Sequence, residues 1–192
     1  MLRREGMKKT YLILNLAILL LLTSFSIVWS DKSNDPFGKL DMLSVVVDQK
    51  PGSDKVVAKV NLVNDENLTA IVVPLKYGTG KSPISLDSVS FTNTPVDKFA
   101  LKNPNIDAKT QKVLIALIST ISAADIYLSK GNNEIARLYF TLKKGSGEGS
   151  VTLDTTLFPP SNVLQLVKAQ DKVPQSIYPG FDNTKGKISF LK

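Results

Sequence analysis

Lys55-Val56-Val57-Ala58-Lys59-Val60-Asn61-Leu62-Val63 is the stretch that decides the fold. Val56, Ala58, Val60 and Leu62 share one parity, and Lys55, Val57, Lys59 and Asn61 share the other. Side chains alternate between the two faces of a strand, so this run reads as a strand with one buried side. Asn64-Asp65-Glu66-Asn67 then reads as a turn, and Leu68 to Tyr77 as the strand after it.

The same pattern continues on both sides. Leu43 to Val47 reads as a first strand, closed by the turn Lys50-Pro51-Gly52-Ser53-Asp54. Later runs at Ile84–Phe91, Val96–Leu101, Lys112–Ser119, Glu134–Leu142, Ser150–Leu157 and Lys187–Leu191 bring the main strands to about nine, and Leu164–Lys168 reads as an added hairpin arm. Short apolar runs punctuated by Gly, Pro, Asn and Asp are the pattern of an all-β sandwich or barrel. Pro74 interrupts the third run; a proline cannot donate to a central ladder, so an edge, bulge or kink is expected there. Lys112–Ser119 is apolar on both parities, which places it in mid-sheet with a covered or partner-facing outer side. Ile121 to Leu128 is the single candidate helical turn, with Ser122 as its cap. Gly145-Ser146-Gly147-Glu148-Gly149 reads as a hairpin turn, because a phosphate-cradling loop would have to open a helix. There is no internal repeat.

The N-terminus has a different character. Arg3, Arg4, Lys8 and Lys9 precede the almost wholly apolar run Tyr11 to Val28, which ends at Val28-Trp29-Ser30. A basic start, an apolar middle and a small residue before a polar turn are the parts of a secretory signal peptide cut between Ser30 and Asp31. The apolar run has about the minimum length for spanning a bilayer, so the alternative is an uncleaved anchor, which would be the chain's one contact with a membrane. The start stays open between Met1 and Met7. Either way the remainder is expected outside the cytoplasm: extracellular, on the cell surface or periplasmic. The chain thus divides into a signal peptide (1–30), a linker (31–39) and a β-domain (40–192).

Composition narrows the function. The 192 residues carry a formal charge of +7, but the leader holds four basic residues and one acid. The 20 basic and 16 acidic residues that remain are scattered, with no basic stripe and no interleaved aromatics, so nucleic acid is not an expected partner. Cysteine and histidine are both absent. No disulfide supports the fold, and the usual neutral-pH general base and the commonest zinc ligand are missing. Asp154 and Asp182 are acids of the type a glycosidase needs in pairs, but nothing in the sequence brings them together. Asp65 and Glu66 offer clustered oxygens that calcium could use, but a solvated turn is the plainer account of them. The expectation is therefore a protein that is not an enzyme and takes no cofactor. Trp29 leaves with the leader, and Tyr77, Tyr127, Tyr139 and Tyr178 share no obvious strand face, which counts against a flat sugar-stacking surface.

Three stretches in this order resemble cohesin modules and their relatives among the carbohydrate-binding sandwiches. They are Val56 to Leu68, an alternating strand with an Asn-rich turn; Val73-Pro74-Leu75-Lys76-Tyr77; and Gly131 to Leu142, a glycine followed by an alternating run. Asp154 to Asn162 is similar to a stretch of exported cohesin-like proteins. Where cohesins typically follow the Tyr with Asp, this chain has Gly78. The resemblance covers nearly all of Leu40 to Lys192 and implies a nine-stranded antiparallel jelly-roll sandwich. It also implies a binding module for a dockerin-like protein or, alternatively, for a polysaccharide; a structural or adhesive surface role is the third reading. Without an Asp-x-Asn-x-Asp-Gly loop, the chain looks like the receptor half of such a pair or a stand-alone relative.

The resemblance further implies which sheet binds. The strands at Leu68–Tyr77, Val96–Leu101, Lys112–Ser119 and Ser150–Leu157 would form it. Alternation points Ile71, Val73, Leu75 and Tyr77 inward, with Val151, Leu153 and Thr155. Val72, Pro74, Lys76, Lys112, Leu114, Ala116, Thr152, Asp154 and Thr156 are left as the outer, binding face.

Overall fold

The structure is a computed structural model. It describes residues 33–119, 126–143, 145, 147–169 and 174–190. The chain divides into two compact units, Met1–Lys32 and Ser33–Lys192, and every described residue belongs to the second. The leader, the Ser30–Asp31 cleavage position and Ser122 lie outside the described residues.

The described residues form thirteen strands and no helix. In chain order these are β1 (Met42–Gln49), β2 (Lys55–Asn64), β3 (Leu68–Lys76), β4 (Ile84–Ser90), β5 (Leu101–Asp107), β6 (Lys112–Ile118), β7 (Gly131–Leu142), β8 (Gly149–Thr152), β9 (Asp154–Thr155), β10 (Gln165–Lys168), β11 (Gln175–Ile177), β12 (Gly180–Asp182) and β13 (Lys187–Phe190). One sheet runs β12-β1-β2-β7-β4, and a second runs β11-β10-β3-β6-β5 with β9 attached to β3. A small β8–β13 pair completes the set. The architecture is the expected all-β sandwich. Its pairings are antiparallel except β1 with β12, which is parallel.

The stretch Lys55–Val63 behaves as its alternation requires. Val56, Ala58, Val60 and Leu62 of β2 are buried, and β2 pairs on one side with β1 and on the other with β7. The opposing layer supplies Ile71, Val73 and Leu75 from β3 and Val113, Ile115 and Leu117 from β6, all fully buried in the same core. Tyr77, just past β3, meets Phe140 of β7 with ring centroids 5.5 Å apart and planes tilted by 60°, so the two layers also touch through an aromatic pair. A register shift between Val60 and Asn61 leaves Ile135 as the extra residue on β7, and both Ile135 and Ala136 are buried there.

Several expectations are corrected. Val96–Leu101 is not a strand: residues 91–99 turn through Thr94 N–H to Phe91 C=O (3.2 Å), Asp97 N–H to Thr94 C=O (3.0 Å) and Phe99 N–H to Val96 C=O (3.0 Å). Val96 and Phe99 plug the core from this turn, which explains their apolar character without a strand. The strand lies one step later, at β5, an edge strand that tolerates Pro104 because one side of its ladder is free. Ser150–Leu157 is not one strand but two. At Leu153 the chain leaves β13, paired with β8, and joins β3 through β9. The Gly-rich stretch 145–149 closes no hairpin, since β7 pairs with β2 and β4 while β8 pairs with β13. Of the expected helical turn, Ile126–Leu128 is described, and there Leu128 instead exchanges two backbone hydrogen bonds with Leu68 (2.9 and 2.8 Å). Within 33–39, Asn34 pairs with Tyr178 and the Lys39 N–H donates to Asp65, so these residues are bonded to the sandwich.

Candidate functional site

The candidate site is the outer face of the sheet β10-β3-β6-β5. Directly opposed residues in an antiparallel ladder share a face, so the register fixes its rows. Leu101, Ile118, Ala70 and Val167 make one row across four strands. Asn103, Ala116, Val72 and Gln165 make the next, and Asn105, Leu114 and Pro74 the third. The fourth is charged: Asp107, Lys112, Lys76 and Asp154.

Exposure shows that the apolar rows meet solvent. Leu101 is 45% and Ile118 38% exposed, as the pair that ends the β5–β6 ladder. Ala70, Val72, Leu114, Ala116 and Val167 are half-buried, as expected for residues flanked by neighbours on a sheet surface. Ile71, Val73 and Leu75 of β3 and Val113, Ile115 and Leu117 of β6 are fully buried behind it, so the face is backed by a packed core and is held rigid.

Pro74 departs from the expected outer set by being buried. The Thr156 N–H donates to its carbonyl (3.3 Å), so its backbone polar groups point away from β6. On that side β10 covers β3 from Leu68 to Val72, and β9 covers it from Leu75 to Lys76. The proline fills the gap between two short ladders, where no N–H is needed. Thr152 lies on β8, opposite Lys187, and so belongs to the other small sheet rather than to this face.

The charged row is ordered by local bonds. Lys76 and Asp154 form an ion pair at 3.3 Å, and Asp154 Oδ1 also accepts from the Thr155 N–H (2.9 Å) and Asn183 Nδ2 (3.3 Å). Lys112 Nζ donates to the Leu157 carbonyl (3.2 Å). Asp107 is capped by the Thr110 hydroxyl and by the Thr110 and Lys109 N–H groups; these bonds hold its carboxyl below the usual range. The Thr184 N–H and hydroxyl hold Asp182 low in the same way. A carboxylate held low is a poor general acid, and Asp154 is engaged with Lys76, so neither has the environment of a glycosidase acid.

One residue that sequence reading missed sets the end of this sheet. Gln111, with φ 55° and 5% exposed, uses its whole amide. Its Oε1 accepts from the Gly80 (2.9 Å) and Ser82 (3.0 Å) N–H groups, and its Nε2 donates to the Ser82 and Ile84 carbonyls (2.8 Å each). A Cβ at Gly78 would lie 2.2 Å from that Oε1. A side chain at position 78 would therefore displace the Gln111 amide. A small pocket beside it, lined by Tyr77, Ser82, Ser85, Gln111 and Lys143 among others, has no carboxylate in its wall.

No protein-family model and no curated protein matches the sequence. Solved structures do match the fold. The seventh ScaB type I cohesin of Pseudobacteroides cellulosolvens superposes with a TM-score of 0.58 at 15% identity, covering 75% of this chain and 88% of that one. The Coh-OlpC-Doc435 complex, a type I cohesin–dockerin complex of Clostridium thermocellum, gives 0.58 at 12% identity, with 81% and 96% covered. CaCohA2 of Clostridium acetobutylicum gives 0.52 at 19% identity, with 73% and 91% covered. This chain has the cohesin fold.

Proposed function

We propose that the chain is an exported, non-catalytic binding module that takes a dockerin-type protein domain on the outer face of β10-β3-β6-β5. The observation that carries this reading is the exposed row Leu101–Ile118–Ala70–Val167 set in a rigid sheet. An apolar centre edged by Asn103, Asn105, Gln165 and the row of charges has the layout of a protein interface. The strands that make the face, β3, β5, β6, β9 and β10, contain no aromatic residue, whereas a polysaccharide face would stack sugar rings on Trp or Tyr. Solved cohesins of this fold include one in complex with a dockerin. Export rests on the leader at 1–30, with Asp31 as the first mature residue. Neither Asp154 nor Asp182 is placed to act as a general acid, which supports a module without catalysis. The test is capture of protein partners from the source's exported fraction beside a glycan array. Retention of a dockerin-bearing protein with no glycan signal supports the reading; glycan binding with no protein partner contradicts it.

A further inference from the structure

A second cluster lies away from the binding face, and the inference drawn from it is independent of the dockerin reading. We propose that Asp35, Asp41, Asp65 and Glu66 form a calcium site that ties the segment entering β1 to the β2–β3 turn.

The four side chains offer carboxylate oxygens that all lie within 4.8 Å of one another. Oxygens on opposite sides of a calcium ion bound at 2.3–2.6 Å stand about 4.6–5.2 Å apart, so the cluster has the span of one calcium shell. The donor set is oxygen alone, with no nitrogen or sulfur ligand, which selects a hard cation over zinc or copper.

Acidic residues in loops often serve only as acceptors for nearby N–H groups, and that accounts for part of this cluster. Asp35 accepts from the Phe37 (2.9 Å) and Asp41 (3.2 Å) N–H groups, and Asp65 Oδ2 accepts from Lys39 N–H (2.8 Å). It leaves one oxygen of each of the other two residues without a partner. Asp41 is 1% exposed and Glu66 8%, and Asp41 Oδ2 and Glu66 Oε2 are buried with no hydrogen-bond partner. Asp41 Oδ1 is held by the Asp65 N–H (3.1 Å), which fixes the carboxylate in place. Buried, unpartnered carboxylate oxygens cost stability unless a cation meets them. None of the ion pairs among the described residues involves this cluster.

The backbone is shaped to bring the two segments together. A Cβ at Gly38 would lie 2.3 Å from Asp65 Oδ2, so a side chain there would push the Asp65 carboxylate out of its present position. The Asn64 amide holds the turn from behind, donating to the Glu66 (2.6 Å) and Ser129 (3.3 Å) carbonyls. Burial foremost, then a hydrogen bond with Asp65 and the charges of the surrounding carboxylates, pushes Glu66 up to about 7; burial foremost, with the Asp65 N–H opposing and the charges of Asp35 and Asp65 adding, pushes Asp41 up to about 6.

The experiment is calorimetric titration of calcium chloride into the full chain, purified in non-ionic detergent and freed of divalent ions, with thermal melts alongside. Expected are binding at a half-saturating concentration of about 0.1–1 mM, the range of extracellular calcium modules, and a melting temperature higher by about 5 °C at saturation. Magnesium, which demands a smaller octahedral shell, should bind at least about tenfold more weakly. Glu66→Gln should lose about tenfold or more in calcium affinity while melting no lower than the parent in EGTA, since it removes a buried charge. Absence of both heat and melting shift up to about 10 mM calcium overturns the proposal, whether or not the variant folds. An unchanged calcium response in a folded Glu66→Gln protein also overturns it.

Discussion

Leu114 stands directly across the β3–β6 ladder from Pro74, yet Leu114 is half-exposed while Pro74 is buried. The pair marks where the solvent-facing apolar surface ends and the β9 junction begins. Leu114→Lys places a charge on the face without touching the core. The far-UV spectrum and melting temperature should stay within the usual range for a surface change, about 0.5 kcal/mol. Binding of the protein partner should fall about tenfold or more. A melting temperature lowered by many degrees would mean the face is covered in the folded protein.

Gln111 predicts a stability effect. Gln111→Ala removes four hydrogen bonds from a buried amide and leaves the Gly80, Ser82 and Ile84 backbone groups to find water. A loss of about 2–3 kcal/mol is expected in denaturant unfolding. Gly78→Ala should be costly for the same reason, because its Cβ meets the Gln111 amide. In the Gln111→Ala background that cost should largely vanish, giving a coupling energy of about 1 kcal/mol or more in a double-mutant cycle. Additive effects would contradict this account of Gly78.

Lys76 and Asp154 form an ion pair in which both side chains are more than a third exposed. Such pairs add little to stability, so Asp154→Asn should shift unfolding by less than about 1 kcal/mol. If the charged row edges the interface, the same change should slow association and weaken its salt dependence. A variant that is destabilised but binds normally would place Asp154 in the fold rather than in the interface.

The acidic cluster gives stability a specific dependence on pH in EGTA. The folded values of Asp41 (about 6) and Glu66 (about 7) lie above their ordinary values, so the folded state holds protons that the unfolded chain has lost. Stability therefore falls as pH rises from about 4 toward 7. Asp65, held low by the Lys39 N–H, works in the opposite sense, but its window lies below its ordinary value of 3.8. Urea midpoints in EGTA should be higher near pH 5 than near pH 7.5, and a reversed order would contradict the protonated state of the cluster.

The legible part of the fold was the part governed by alternation. β1, β2, β3, β4, β6 and β7 carry apolar residues on one parity or both, and each lies within a few residues of its expected position. β5 was missed because Asn103, Pro104 and Asn105 have poor strand propensity; its place is set by pairing with β6, which no local pattern reports. Val96 and Phe99 were misassigned because a buried turn needs apolar plugs as much as a strand does. The break at Leu153 is invisible locally, since both halves alternate and only the change of partner separates them. Within the candidate site, Val72, Lys76, Lys112, Leu114 and Ala116 were placed on one face by parity, while Leu101 and Ile118, its most exposed apolar members, were not singled out. The acidic cluster was half legible. Asp65 and Glu66 are adjacent in sequence, but Asp35 and Asp41 join them only through the fold.

On the proposed function, the outer face of β10-β3-β6-β5 is a protein-binding surface. Its most direct test is calorimetric titration of a dockerin domain from the same source into the parent protein and the Ile118→Lys variant. Saturable binding by the parent, reduced about a hundredfold or more in a variant with an unchanged melting temperature, is the predicted result; that ratio corresponds to about 2.7 kcal/mol, a hot-spot value. Equal binding by the two proteins would contradict the assignment of this face.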